Sequence, residues 1–329
     1  MSILNIILGS AELPMYLEQT RVQALDAAAL DSFGYSVALS SDGNTMAVGR
    51  TGAANRIYAL YVFVRSGTTW TEQARIQATS NMGSYFGTSV SLSADGNTLA
   101  ASAYGETSAD ATKAGAAYIY VRSGTTWTQQ ARVQALPPVA SSQFGYSVAL
   151  SLDGNTLAVG ANLTVGSAYV FVRSGTTWSQ QARMEALDGA SNNYFGNSVA
   201  LTSDGNTLAV GAQMAANSGG STAGSAYIFT RAGSTWSPSQ LRIQAFDAAQ
   251  GDQFGASITL SADGSMVAVG SPSDAEAQYC KNTAPRFGCE RSLETYMNDV
   301  SRDHTAENGG FEPPRAFTQH AFQACAIGH

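Results

Sequence analysis

Charge is scarce in this 329-residue chain: Asp, Glu, Lys and Arg together make up 12% of it. What charge there is sums to −7. An acidic surface repels phosphate backbones, so nucleic-acid binding is disfavoured. No basic run is present that could hold the chain to a membrane surface. No apolar stretch reaches the ~20 residues that a spanning helix needs. The segment Met1 to Gly9 is apolar but short, lacks a basic n-region and a convincing cleavage site, and reads as a β-strand rather than a secretory signal. Histidine and cysteine are confined to the C-terminal end, as Cys280, Cys289, His304, His320, Cys325 and His329. Upstream of them there is no disulfide framework, no Ser-His-Asp or Cys-His arrangement and no His-based metal chemistry.

What the chain has in quantity is glycine, 33 residues, alongside Ser, Thr, Asn and Gln. That mixture suits a sheet protein with many tight turns, because glycine takes positive φ without steric cost. The sequence also repeats. Phe-Gly recurs at Phe33, Phe86, Phe144, Phe195 and Phe254, and nine residues after each Phe comes Asp-Gly, at Asp42, Asp95, Asp153, Asp204 and Asp263. The Phe-to-Phe spacings are 53, 58, 51 and 59. A constant inner spacing within a variable outer one describes a fixed unit with tolerant loops. On either side of Asp153-Gly154 the residues alternate, Val148 and Leu150 on one face before it, Leu157 and Val159 after it. Period-two alternation about Asp-Gly predicts a β-hairpin.

A second hairpin follows in each copy. Arg65 to Trp70, Arg122 to Trp127, Arg173 to Trp178 and Arg231 to Trp236 share one spacing, preceded by Tyr/Val/Ile/Phe-rich strands and followed by strands such as Arg75-Ile76-Gln77-Ala78. Four strands per unit predict a propeller blade built as an antiparallel meander. Length varies chiefly between Asp-Gly and Arg, so the connection between strands two and three is the adjustable loop.

The Phe-Gly opening, the Ser-Val-Ala-Leu strand and the Ala-Val-Gly-Ala close (Ala158 to Ala161, Ala209 to Ala212) resemble FG-GAP repeats, the blade units of integrin α-subunit heads, over about residues 16 to 272. The resemblance implies an all-β propeller, a cell-adhesion or protein-binding role, and an extracellular or cell-surface setting. Some blades of that family carry a calcium loop, D-x-D-x-D-G-x-x-D. The turns here, such as Ser-Leu-Asp153-Gly-Asn-Thr, hold one carboxylate each. Calcium prefers six to eight oxygen ligands, so these are read as plain hairpin turns and no cofactor is expected.

The predicted organisation is a propeller of about five blades over residues 1–272, or an arc of a larger ring, followed by a non-repeat tail over 273–329. The fifth Phe-Gly unit loses its pattern before its second hairpin. Conversely, Tyr16 to Leu25 matches Trp70 to Thr79, a last strand with no blade ahead of it, and Ile3 to Leu8 could precede it. Residues 3–25 would then complete the last blade. In the tail, Leu293, Tyr296, Met297 and Val300 have helical spacing, while Cys280 and Cys289 lack a recognised zinc spacing.

No catalytic residue is assigned. The regular carboxylates occupy turns, and Asp26, Asp188 and Asp247 follow the fourth strands on connecting loops. Paired carboxylates could still run glycoside chemistry, leaving a propeller hydrolase or lyase as a third reading. The first is a noncatalytic scaffold that binds a protein or glycan through the variable segments Gly52 to Ile57, Gly105 to Gly115 and Gln213 to Gly224. The second is a lectin using Trp70, Trp127, Trp178 and Trp236 as stacking platforms, although aromatic residues at one position per blade also suit packing. Asn162-Leu163-Thr164 is a lone glycosylation sequon.

Overall fold

The structure is a computed structural model that describes residues 4–10, 13–26, 31–52, 58–77, 84–107, 113–163, 166–190 and 192–274. The chain divides into compact units at Pro272/Ser273. The predicted tail helix, the three cysteines and the three histidines lie outside the described residues.

Every element described in Met1–Pro272 is a strand. A hairpin of β1 (Leu4–Ser10) and β2 (Leu13–Val22) comes first. The first blade follows as β3 (Asp31–Leu39), β4 (Thr45–Gly52), β5 (Ala59–Ser66) and β6 (Thr69–Gln77). The second is β7 (Ser84–Leu92), β8 (Thr98–Gly105), β9 (Ala116–Ser123) and β10 (Thr126–Val133). The third is β11 (Phe144–Leu150), β12 (Thr156–Ala161), β13 (Ser167–Ser174) and β14 (Thr177–Met184). The fourth has β15 (Phe195–Leu201), β16 (Thr207–Ala212) and β17 (Ser225–Ala232), with its outer strand split into β18 (Thr235–Trp236) and β19 (Leu241–Ile243). A last hairpin is β20 (Ser257–Leu260) and β21 (Val267–Gly270). Each blade is the predicted antiparallel meander.

The split has a sequence cause. From Trp236 to the next strand-four arginine, Arg242, the spacing is six rather than five, and the added stretch contains Pro238. Proline cannot donate to the ladder, so the strand loops out there.

Among the described residues, β1–β2 and β20–β21 are each two-stranded sheets. Four blades are complete among the described residues and a fifth is represented by its first hairpin.

Contacts between blades run from β3 to β7, β7 to β11, β11 to β15 and β15 to β20, placing the first strands innermost. The core lies between blades. Val148, Leu150, Leu157 and Val159 of the third blade pack with Ala100, Ala117 and Ile119 of the second. In the four complete blades the Phe of Phe-Gly is buried and meets strand-three aromatics edge-on, as Phe144 does with Tyr169 and Phe171. Its glycine has φ near +90° (Gly145, +92°). A Cβ there would collide with Ala116 of the blade before, so the pair combines an anchor with a close backbone approach.

Candidate functional site

Each Asp-Gly turn is a closed hydrogen-bonded cassette. In the third blade, Asp153 accepts through Oδ1 from the Ser151 hydroxyl (2.5 Å) and the Asn155 backbone N–H (2.9 Å), and through Oδ2 from Asn155 Nδ2 (2.8 Å). Arg173 then donates Nε to Asn155 Oδ1 (2.8 Å), tying strand three to the turn. The same set recurs at Asp42, Asp95 and Asp204. Burial alone would raise the Asp153 carboxyl, but these donors hold it below the ordinary carboxylate value. Both carboxylate oxygens are therefore engaged within the turn. Among the described residues, no three His, Cys, Asp or Glu side chains come together to hold a metal.

The four tryptophans sit beside the second hairpins, half-buried, each beneath an arginine: Arg65 over Trp70 (5.7 Å), Arg122 over Trp127 (5.4 Å), Arg173 over Trp178 (5.7 Å) and Arg231 over Trp236 (5.3 Å). Three of them reach back to the preceding blade. Trp127 Nε1 donates to Gln73 (3.0 Å), Trp178 Nε1 to Gln130 (2.9 Å) and Trp236 Nε1 to Gln181 (2.9 Å). One ring face is thus covered by an arginine of the same hairpin, and in those three the N–H ties neighbouring blades together. Beside Trp236, where Pro238 interrupts the outer strand, a cleft of about 430 Å³ opens against β14, with Met184, Leu187 and Phe229 in its lining.

The connecting-loop carboxylates are pins between blades. Asp188 accepts from Tyr227 Oη (2.9 Å) and pairs with Arg242, both in the next blade. Asp26 likewise bonds Tyr61 Oη (2.6 Å), Arg50 (3.0 Å) and Arg75 (2.6 Å). Arg50 is buried, in a position occupied by alanine in the other complete blades, and also meets the buried Asp31. Two carboxylates converge there, but on Arg50, which pairs with both, while Arg75 pairs with Asp26 as well.

One cluster was not anticipated. Tyr58, Tyr85, Tyr104 and Tyr146 form a ladder across three blades, with centroid separations of 5.7, 4.4 and 5.1 Å, and Tyr85 and Tyr104 stack 13° from parallel. Burial raises the Tyr104 hydroxyl above the ordinary tyrosine value, and the neighbouring Tyr85, Tyr146, Tyr35 and Tyr58 add to the shift. Tyr146 is raised by burial and then by Tyr35 and Tyr194. Six tyrosines from four blades therefore gather at the end where strand one begins and strand two finishes. Tyr35 and Tyr85 are exposed. Tyr85 and Tyr194 precede Phe-Gly with φ of 76° and 57°, and Gln143 and Gln253 share this geometry, so it belongs to the blade entry rather than to tyrosine.

The variable connections between strands two and three leave the blades at this same end. Of the candidate loops, Gln213 to Gly224 is described throughout and closes by a bridge between Asn217 and Gly220. Gly52 to Ile57 and Gly105 to Gly115 fall largely or partly outside the described residues. The sequon Asn162 is buried and is not an exposed acceptor.

This geometry defines a β-propeller arrangement of four-stranded blades with a cluster of tyrosines at one end. The FG-GAP repeat model matches residues 16–63, 70–120, 127–171 and 178–229, more than half of the chain, and the protein belongs to that family. No curated protein matches it in sequence. Among solved structures, the periplasmic gluconolactonase PpgL of Pseudomonas aeruginosa is similar at 15% identity and a TM-score of 0.54, over 80% of this chain and 70% of that one. A Lactobacillus plantarum protein gives 16% identity and 0.49 over 72% and 63%. TolB of Acinetobacter baumannii gives 12% and 0.43 over 74% and 49%. The chain thus spans about half the length of TolB. At these identities the likeness is one of fold. Among the described residues no helix is long and apolar enough to cross a membrane.

Proposed function

We propose that this protein is a noncatalytic binding scaffold whose ligand surface is the tyrosine-lined end of the blades, and that the ligand is a protein segment. The tyrosine ladder is the observation that carries this reading. Tyrosine supplies a large, rigid, amphipathic contact at small entropic cost, which is why it is enriched at binding surfaces. Here the ring faces of Tyr85 and Tyr104 cover each other, which suits contacts through ring edges and hydroxyls. The carboxylates nearest to a catalytic pair, Asp26 and Asp31, are bound to Arg50, which favours a structural role for them. A glycan is the second reading, favoured by Tyr35, which is 62% exposed. On the family's precedent the protein works outside the cell or at its surface; recovery from the cytosol alone would contradict that.

The test screens the full chain against a displayed peptide library and a glycan array, comparing wild type with Tyr85→Ala, Tyr104→Ala and, at the opposite end of a blade, Thr176→Ala. Peptide binding lost in the tyrosine variants and kept in Thr176→Ala is expected. Glycan binding without peptide binding transfers the site to the second reading. Binding unaffected by both tyrosine changes rejects the site.

A further inference from the structure

The tyrosines divide by what their hydroxyls do. Tyr61, Tyr118 and Tyr227, on third strands, donate to the carboxylates of Asp26, Glu106 and Asp188. The six of the cluster, Tyr35, Tyr58, Tyr85, Tyr104, Tyr146 and Tyr194, make no hydrogen bond among the described residues. None of their hydroxyls is shut away from solvent, as that of Tyr120 is. Burial keeps Tyr104 and Tyr146 protonated beyond the ordinary tyrosine range, so they remain donors. The cluster is thus a set of hydroxyl donors whose partners the blades do not supply.

The carboxylates at the same end are withheld. Asp26 and Asp31 are held by Arg50, Glu106 by Tyr118 and Arg132, and Asp188 by Tyr227 and Arg242. A ligand that brings cations or many N–H groups finds these acceptors taken. A ligand that brings carbonyl oxygens and few N–H groups finds donors waiting. Proline is the residue with that balance, since it keeps its C=O and has no N–H. In the polyproline II conformation the carbonyls are also free of internal hydrogen bonds.

The ring geometry agrees with such a segment. Tyr85 and Tyr104 stack at 4.4 Å, and the rings on either side lean away from that stack, Tyr58 by 50° from Tyr85 and Tyr146 by 45° from Tyr104. Each lean opens a wedge between two aromatic rings. The centres of the two wedges are no more than about 10 Å apart, and one turn of polyproline II advances about 9 Å, so residues three apart return to the same face at that interval.

We propose that the segment bound at the tyrosine end is proline-rich and held as a polyproline II helix, with prolines three residues apart seated in the two wedges and its carbonyls accepting from the tyrosine hydroxyls. This rests on the reading of that end as the ligand surface and adds the chemistry of the ligand. Such a helix is ordered before it binds, so little entropy is lost on docking against an aromatic-lined surface.

The test titrates the full chain calorimetrically with a polyproline peptide and, separately, with an alanine–glutamine peptide of equal length. Polyproline is expected to bind and the second peptide not to. Tyr104→Phe, which keeps the ring and its packing, should weaken polyproline binding about fivefold, the equivalent of one hydrogen bond. Tyr85→Ala should weaken it about tenfold or more, and Thr176→Ala should leave it unchanged. The phenylalanine variant keeps the test decisive if Tyr85→Ala does not fold. Equal affinity for the two peptides overturns the proline assignment, as does polyproline binding that survives both tyrosine changes. Tyrosine-dependent binding of proline-free peptides without polyproline binding overturns it too, and leaves the tyrosine surface standing. Absence of tyrosine-dependent binding for every peptide overturns both readings.

Discussion

Replacing Gly160 with alanine probes the contact on which blade stacking depends. Gly160 lies in β12, where an added Cβ would sit 2.9 Å from the Gly196 carbonyl carbon and closer still to its oxygen and to Ser147 Oγ. Neither neighbour can swing away. One is main chain of the next blade and the other is the Ser147 hydroxyl, which donates to the Gly196 carbonyl (2.9 Å). Overpacking of this kind costs about 1–3 kcal/mol, and loss of that bond adds about 1 kcal/mol. The total is roughly 2–4 kcal/mol, a fall of about 1–2 M in urea midpoint at an ordinary slope. Tryptophan fluorescence and far-ultraviolet dichroism, followed together, would measure it. The second blade supplies a control, because Ser102 occupies the equivalent position. There its hydroxyl accepts from Ser89 N–H (2.8 Å) and pairs with the Thr88 hydroxyl (2.9 Å), while the strand-one offset lengthens to reach Val90. Gly160→Ser can adopt part of that arrangement and is expected to cost less than Gly160→Ala. An alanine variant within about 0.5 kcal/mol of wild type, the range of a neutral surface change, would refute the reasoning.

Gln130→Leu leaves Trp178 Nε1 without its acceptor and should destabilise the protein by about 1–2 kcal/mol, with Trp178→Phe adding little on top; fully additive costs in denaturant melts would show that the two do not act as a pair. Burial alone would raise the Asp26 carboxyl, but the Tyr61 hydroxyl, Arg50 and Arg75 hold it below its ordinary value of 3.8. Its stabilising contribution is therefore full above that pH and is lost as pH falls through the depressed value. Asp26→Asn should flatten the acid limb of melting temperature against pH; parallel limbs would contradict the assignment. In the alkaline direction Tyr104 stays neutral above the ordinary tyrosine value of 10.0, burial being the first cause. Tyr118, Tyr120 and Tyr227 are raised as well, so the late-ionising tyrosinate absorbance should lose one residue's amplitude in Tyr104→Phe, and an unchanged titration curve would count against the ladder.

Much of the blade was legible because its determinants are local. Phe-Gly, Asp-Gly and Arg-Ser-Gly-Thr-Thr-Trp each fix a turn or a strand entry within a few residues. The roles of the tryptophans were not legible, since the glutamine that receives each N–H lies about fifty residues earlier (Trp178 and Gln130 are 48 apart) and belongs to another blade. The tyrosine ladder escaped for a different reason. Repeat reading compares the same position in each copy, whereas the ladder draws on different positions. Tyr58 precedes strand three, Tyr85 precedes Phe-Gly, Tyr104 lies near the end of strand two, and Tyr146 follows Phe-Gly. The available signal was the tyrosine flanking Phe-Gly at residues 35, 85, 146 and 194. The break in the fourth blade was readable in principle from the spacing of six, rather than five, between Trp236 and Arg242 and from Pro238.

Oxidative footprinting of the full chain, with and without a peptide selected for binding, tests the assigned surface most directly. Tyr35 and Tyr85 should become protected while the Ser-Gly-Thr-Thr hairpins at the far end of the blades keep their reactivity. Protection confined to those hairpins, with both tyrosines as reactive as before, would place recognition at the opposite end and contradict the account.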